Sequence, residues 1–534
     1  VDIDCTYLPY NETAYFTDLV LDYLDGSDAL KNYYKYTPDK AGIKQAIEQR
    51  PGFPVNRQLL VNTLQKQYEG LQADEKVTRN IQLLSEENTF TICTAHQPNL
   101  LTGYLYFIYK IVHAIKLADE LNSEYPGKHF VPVYYMGSED NDLEELGTFR
   151  YAGQKFVWDA RGQTGAVGRM KTDSLKLLLG DLFKLLGPPG TNAEQLQKTI
   201  TEAYLKHNTI ADATQYLVNE LFGRFGLVIL NPDDAELKRA ILPILQDDLE
   251  NHIAYAIVNE TTDNLGEQYK IQAHPRYINL FYMKDNIRER IEKKGGQWIV
   301  LNTDIKWTAG ELKAELEQHP DRFSPNVILR GIFQESILPD IAFIGGGAEV
   351  AYWLELKDLF HHYKVFYPTI LLRQSVQWIT PQQDALRKKL GFSVADMFKS
   401  ESSLIRYYIA HHGTNNWQTA DEMNAIEEVL MQLKQKANAL DVTLNASAEA
   451  VLARIRKQLV NLEKKMLRAE KRKMQDQVQR IINLKNSIFP DYKLQERQDN
   501  FVGYYAALGP QYLDVLYNNI AALRNQFLVI SQQA

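Results

Sequence analysis

Three stretches bring together residue types that can do chemistry. In TAHQPNLLTGYLYFIYK (94–110), the polar side chains His96, Gln97 and Asn99 precede Thr102 and Gly103, where an apolar-periodic segment begins. A helix start there offers unpaired backbone N–H groups and a partial positive charge, which suit a phosphate or carboxylate. Gly103 would let a ligand approach the backbone, although the same residues also suit an Asx-turn with a capping threonine. In SEDNDLEE (138–145), Glu139, Asp140 and Asp142 crowd three carboxylates into four residues. Such a cluster can hold Mg²⁺ or a substrate ammonium, or keep one proton for base catalysis; it is equally the composition of an acidic helix start. In the third stretch, Ile341–Ile344 runs into Gly345, Gly346 and Gly347 and then AEVAYWLELK. A glycine turn between strand and helix lets amides surround an anion, or lets helix and sheet pack closely. Glu349, Tyr352 and Glu355 share one helix face by i, i+3 spacing.

Several motifs are absent. The glycine turn does not match G-x-G-x-x-G, and no Walker GK[ST] occurs. The pairs His361-His362 and His411-His412 point their members in different directions and lack a spaced carboxylate or cysteine, so no metal site is assigned. Cys93 falls inside a strand pattern and reads as a small buried hydrophobe.

These stretches need a scaffold that brings them to one place. The first 88 residues read as helical, after which Thr89–Ala95 has the pattern of a buried strand. A loop, a helix from about Tyr104 to Leu121 and a second strand at 129–136 complete a βαβ unit, whose strands pair in parallel through a right-handed crossover. Further strands are expected at Lys155–Trp158, Gly226–Leu230, Tyr277–Tyr282, Trp298–Leu301, Val327–Leu329, Ile341–Ile344 and Val365–Leu371, with 171–222 a helical insertion. The fold class is therefore α/β, a Rossmann-like doubly wound, mainly parallel sheet with inserted segments. In such sheets ligands sit at the carboxyl ends of the strands, where the order reverses.

Beyond about Pro381 the pattern changes. Met423, Ile426, Leu430, Leu433, Ala437 and Leu440 repeat with 3-4 spacing, as do Leu452, Ile455, Leu459, Leu462, Met466 and Ala469 after a polar turn. This predicts an antiparallel coiled-coil hairpin. Met466, Leu467, Met474, Val478, Ile481 and Ile482 widen the second arm's stripe, so a symmetric dimer is expected. Nine Lys or Arg against two Glu between Arg454 and Lys473 read as a solvated face. The expected division is a helical region at 1–88, a core at 89–380 with insertions at about 160–225 and 240–325, a coiled-coil unit at 381–490 and a helical return to the core at 491–534.

Composition narrows the functional classes. With 45% hydrophobic and 24% charged residues the chain is ordinary globular protein, and a formal charge of −8 argues against nucleic acid as partner. Two cysteines in 534 residues, no leader-like opening and no run of about 18 apolar residues predict a soluble protein of a reducing, cytoplasmic compartment.

The segments TAHQPNLLTGYLYFIYKIVHAIKLADEL and VPVYYMGSEDNDLEEL resemble the opening βαβ of the BshC family. GLVILNPDDAELKR (226–239), NLFYMKDNIRERIE (279–292), 324–357 and KLQER (493–497) follow in family order, across about 75 to 500. Three positions depart from the family pattern: Asn141 stands where histidine is usual, GGGAE replaces GGPGE, and Arg330 precedes Gly331 rather than proline. The HxGH and KMSKS signatures of adenylating relatives are absent. The resemblance implies a Rossmann-like core with a dimerising coiled coil, and a ligase joining L-cysteine to glucosaminyl-malate to give bacillithiol. ATP is the implied co-substrate, with Mg²⁺ a candidate at the acidic turn.

The site residues follow from the same resemblance. His96, Gln97, Asn99, Thr102 and Gly103 would hold phosphates or the activated carboxyl oxygen, and Glu139, Asp140 and Asp142 would bind the ammonium, a metal ion or the amine proton. Gln334, Gly345, Gly346, Glu349 and Tyr352 would form the other wall, and Arg373 would take a malate carboxylate. A nucleotidyltransferase and a nucleotide-sensing scaffold remain alternatives at this stage.

Overall fold

The structure is a computed structural model describing residues 2–187, 192–413 and 418–533. The chain divides into two units: residues 7–377 with 495–528, and residues 378–494 with short terminal stretches.

The larger unit is built on five parallel strands: β1 (Thr89–His96), β2 (His129–Met136), β3 (Val228–Leu230), β4 (Asp340–Gly345) and β5 (Thr369–Leu372). Their spatial order is β3-β2-β1-β4-β5. This is a doubly wound order, and it reverses between β1 and β4. Seven of the eight residues of β1 are buried, as expected of a strand covered on both faces. The helix α1 (Tyr106–Glu124) joins β1 to β2 and packs Ala114, Leu117, Ala118 and Leu121 into a core with Phe90, Ile92, Phe130 and Ile344.

Two insertions complete the unit. Helices Lys176–Leu185, Asn192–Lys206 and Ile210–Phe222 lie between β2 and β3. Between β3 and β4, a mixed insertion carries antiparallel strands that include Leu280–Lys284, Ile287–Lys294 and Phe323–Pro325.

Several expected elements change. Val327–Leu329 is the first turn of helix α2 (Val327–Ile337), not a strand, because the Asn326 side chain accepts from the Ile328 N–H and caps it. The strand expected at Val365–Leu371 shortens to Thr369–Leu372, since Pro368 has no N–H for the ladder. The first 88 residues are not wholly helical: Ile3–Pro9 is a strand.

In the smaller unit, α3 (Ala420–Leu440) and α4 (Leu444–Lys473) form a helical hairpin whose turn is held by Asp441 accepting from Thr443. Ion pairs link the arms, Lys434 to Glu449 at 2.6 Å and Arg456 to Glu427 at 2.5 Å. Met423, Ile426, Leu430, Leu452, Ile455, Leu459 and Met466 are half-buried as the expected seam, but Leu433, Leu440 and Leu462 stay exposed. The wider stripe finds cover within the unit: Ile481 is buried, and Met474, Val478 and Ile482 are half-buried. Among the described residues no helix is long and apolar enough to cross a membrane.

Candidate functional site

A cavity of about 620 Å³ opens at the carboxyl ends of the sheet. All five strands reach it: β1 through His96 and Gln97, β2 through Glu139 and Asp140, β3 through Pro232, β4 through Gly346 and Glu349, and β5 through Arg373. Helix α1 adds Tyr106 and Lys110, and the second insertion adds Arg276, Arg288 and Arg330. Its position follows from the strand order, because the loops after β1 and β4 leave the sheet in opposite directions.

The β1 side is desolvated. The His96 ring lies 5.2 Å from that of Tyr106, and its Nε2 is buried with no hydrogen-bonding partner among the described residues. Burial, helped by Lys110 and Arg373, holds this imidazole well below its usual pKa, so it is neutral. Gln97 donates to Asp140 at 3.1 Å and so joins the ends of β1 and β2. Asp140 also accepts from the Asp142 N–H at 3.2 Å.

The other carboxylates are engaged. Glu139 forms an ion pair with the fully buried Lys238, although burial still pushes its carboxyl up. Asp142 caps the short helix Leu143–Leu146 and does not line the cavity. Glu349 accepts from Gly346 N at 2.8 Å and pairs with Lys110, which also donates to the Ala95 carbonyl. The amide expected at the glycine turn to cradle an anion is therefore taken by the Glu349 side chain.

Arg373 departs most from expectation. Both of its Nη atoms bond Glu496, at 2.7 Å each, in the bidentate arrangement foreseen for a substrate carboxylate. What it leaves is Nε, buried and without a partner among the described residues. Asn99, Thr102, Gly103, Gln334 and Gly345 do not line the cavity. Gly103 has φ +65°, and a Cβ there would come within 2.9 Å of Asn99, so packing rather than a ligand requires the glycine. The buried Gln334 accepts from Arg330 at 3.1 Å and so steadies a cavity residue from behind.

The residue spacing missed most of the positive charge. Lys110, Arg276, Arg288, Arg330 and Arg497 line the cavity with Arg373, against Glu139, Asp140, Glu145 and Glu349. Arg276, Arg288, Arg330 and Arg497 form no ion pair among the described residues. Arg330 instead donates to the Tyr352 hydroxyl at 2.5 Å, and Arg288 to Asn141 Oδ1 at 3.0 Å. A signal existed for Lys110, one helical turn after Tyr106 in α1. None existed for the arginines of the insertion. The result is a partly desolvated pocket with surplus guanidinium groups in a chain of net negative charge, able to bind a phosphate or carboxylate.

Residues 3–374 match the family model of the bacillithiol biosynthesis BshC N-terminal Rossmann-like domain, and 376–532 match the BshC C-terminal coiled-coil domain. The chain belongs to the BshC family. Relatives named "Putative cysteine ligase BshC" include one from Flavobacterium johnsoniae, 41% identical over 99% of both chains. Others are from Christiangramia forsetii, 38% identical over 98% of both chains, and Bacillus cereus strain G9842, 26% identical over 94% of this chain and 95% of that one. The BshC coiled-coil match includes Arg497, which nevertheless lines the cavity of the Rossmann-like unit.

Proposed function

We propose that this BshC-family chain joins the carboxyl group of L-cysteine to the amine of glucosaminyl-malate, with ATP activating the carboxyl group. The observation that supports this best is the surplus of guanidinium groups that form no ion pair among the described residues, in a cavity at the strand carboxyl ends, since two of the three reactants are polyanions. In the first step a cysteine carboxylate oxygen attacks phosphorus, and either ADP or pyrophosphate leaves. In the second the amine nitrogen attacks the carbonyl carbon, the phosphate or AMP departs with the C–O bonding pair, and the ammonium proton passes to a base.

Asp140 is the group suited to hold the cysteine ammonium and take that proton, because Glu139 and Asp142 are engaged elsewhere, and the neutral His96 offers Nε2 as a hydrogen-bonding group beside it. Mg²⁺, if it accompanies ATP, would be met by Asp140 and Glu145. Fixing both substrates in one pocket supplies about 7–11 kcal/mol through effective molarity, so no covalent nucleophile is required. Incubating purified protein with glucosaminyl-malate, cysteine and ATP should yield bacillithiol by mass spectrometry. Transfer of labelled AMP to a small molecule without consumption of cysteine would instead make the protein a nucleotidyltransferase.

The working form proposed is a homodimer in the cytoplasm. Val429, Met431, Leu433, Val460 and Leu462 are 44–61% exposed along the hairpin, and a second copy of the same coiled coil is the simplest cover for them. The cytoplasm fits a chain with only two cysteines in 534 residues.

A further inference from the structure

Resting on the ligase reading, we infer that Arg497 binds an anionic group of one substrate, and that Glu496 beside it positions Arg373 for the same group. These residues lie in the turn Gln495–Arg497, more than a hundred residues after β5. The turn is tied down on both sides. Before Arg497, the buried Glu496 takes both Nη atoms of Arg373 and a bond from Ser375 at 3.1 Å. After it, the Asp499 carbonyl accepts from Leu105 N at 3.0 Å, and the buried Asn500 side chain donates to the carbonyls of Leu101 and Gly103.

Between these anchors Arg497 is exposed while Glu496 and Gln498 are buried. With the backbone on both sides anchored, a ligand in the cavity has only the Arg497 side-chain torsions left to order. Its carbon lies 5.9 Å from the centroid of the Tyr106 ring, and that of Arg373 lies 5.5 Å from the same ring. Beside one aromatic ring there are thus an arginine without an ion pair among the described residues and the buried Nε of a second arginine, which has no hydrogen-bonding partner among them. Glu496 neutralises Arg373, while Arg497 has no ion-pair partner among the described residues. A carboxylate or a phosphoryl oxygen pair supplies the matching charge and accepts hydrogen bonds in a plane.

Glucosaminyl-malate and ATP are the two sources of such a group, and calorimetry on the full-length protein separates them. Each is titrated separately into wild type, Arg497→Ala, Arg497→Lys and Glu496→Gln. Arg497→Ala should weaken one of the two by about tenfold or more and leave the other unchanged, with Arg497→Lys recovering part of the loss. Glu496→Gln should weaken the same compound, raising its KM while kcat moves by less than about twofold. Should Glu496→Gln fail to fold, the Arg497 pair decides alone, with unchanged melting temperatures as the control.

Wild-type affinity for both compounds in Arg497→Ala overturns the inference and leaves the ligase reading standing; so does an equal loss on both, which reflects a general field rather than a contact. Failure of the wild type to bind either compound overturns the ligase reading and this inference with it.

Discussion

Glu139 and Asp140 are neighbours in the chain but answer to different demands. Glu139 neutralises Lys238, which is fully buried, whereas Asp140 is half-buried, lines the cavity and is held by Gln97. Glu139→Gln therefore removes the carboxylate paired with a fully buried ammonium, leaving only the more distant Asp233 charge, and should cost about 3 kcal/mol of stability, read by urea unfolding. Asp140→Asn keeps a similar shape and should unfold like wild type while losing bacillithiol formation. An Asp140→Asn protein with full turnover would remove Asp140 from the chemistry. The crowding of three carboxylates in the sequence made them look equivalent, because a one-dimensional reading cannot show that Lys238 comes from the helix after β3 or that Asp142 faces a helix end. Gly103 shows the same limit. Its place in the sequence suggests room for a ligand, but its positive φ and the Asn99 side chain account for it. Gly103→Ala should lose about 1–3 kcal/mol in the same unfolding assay, and a neutral result would mean the loop relaxes freely.

At the scale of elements, the parallel strands were legible because strands covered on both faces are continuous apolar runs with little local ambiguity. The rule placing ligands at their carboxyl ends then located the cavity's floor. The walls were not legible. Arg276 and Arg288 come from an insertion whose placement depends on long-range packing, and Val327–Leu329 turned helical because a single capping asparagine outweighs three apolar residues. One wall has a further dependence. The irregular segment that carries His274 and Arg276 is pinned by the buried Glu355, which accepts from Gln272 N at 2.8 Å and Ala273 N at 3.0 Å. Burial pushes this carboxyl up to about 7. Below about pH 4.5 it is protonated in both folded and unfolded chains. As pH rises the unfolded chain releases the proton first, so the contribution to stability is lost between about pH 4.5 and 7, by about 2–3 kcal/mol. Glu355→Gln carries no such proton, and its stability relative to wild type should improve by that amount across the interval. Parallel urea midpoints for the two proteins from pH 5 to 8 would argue against a buried acid at this position.

At the scale of the whole molecule, the proposed dimer rests on the hairpin. The sequence placed Leu433 and Leu462 inside the seam between the arms, but both are exposed. Leu433→Lys with Leu462→Lys should therefore leave each chain folded and convert a dimer into a monomer, as measured by light scattering. A wild-type mass of one 61.4 kDa chain at micromolar concentration would dispose of the dimer. The bond between Arg373 and Glu496 carries a different consequence, for the order of events at the ribosome. The partners are 123 residues apart, so at about 5–20 residues per second Arg373 emerges roughly 6–25 s before the carboxylate that neutralises it. Throughout that interval the nascent sheet has all five of its strands but an unmatched charge at the end of β5, and the β1–α1 loop still lacks Asn500. The pocket can close only after the coiled coil has been synthesised, so a chain truncated before residue 495 should carry an unfinished site and be an early substrate for chaperones and proteases.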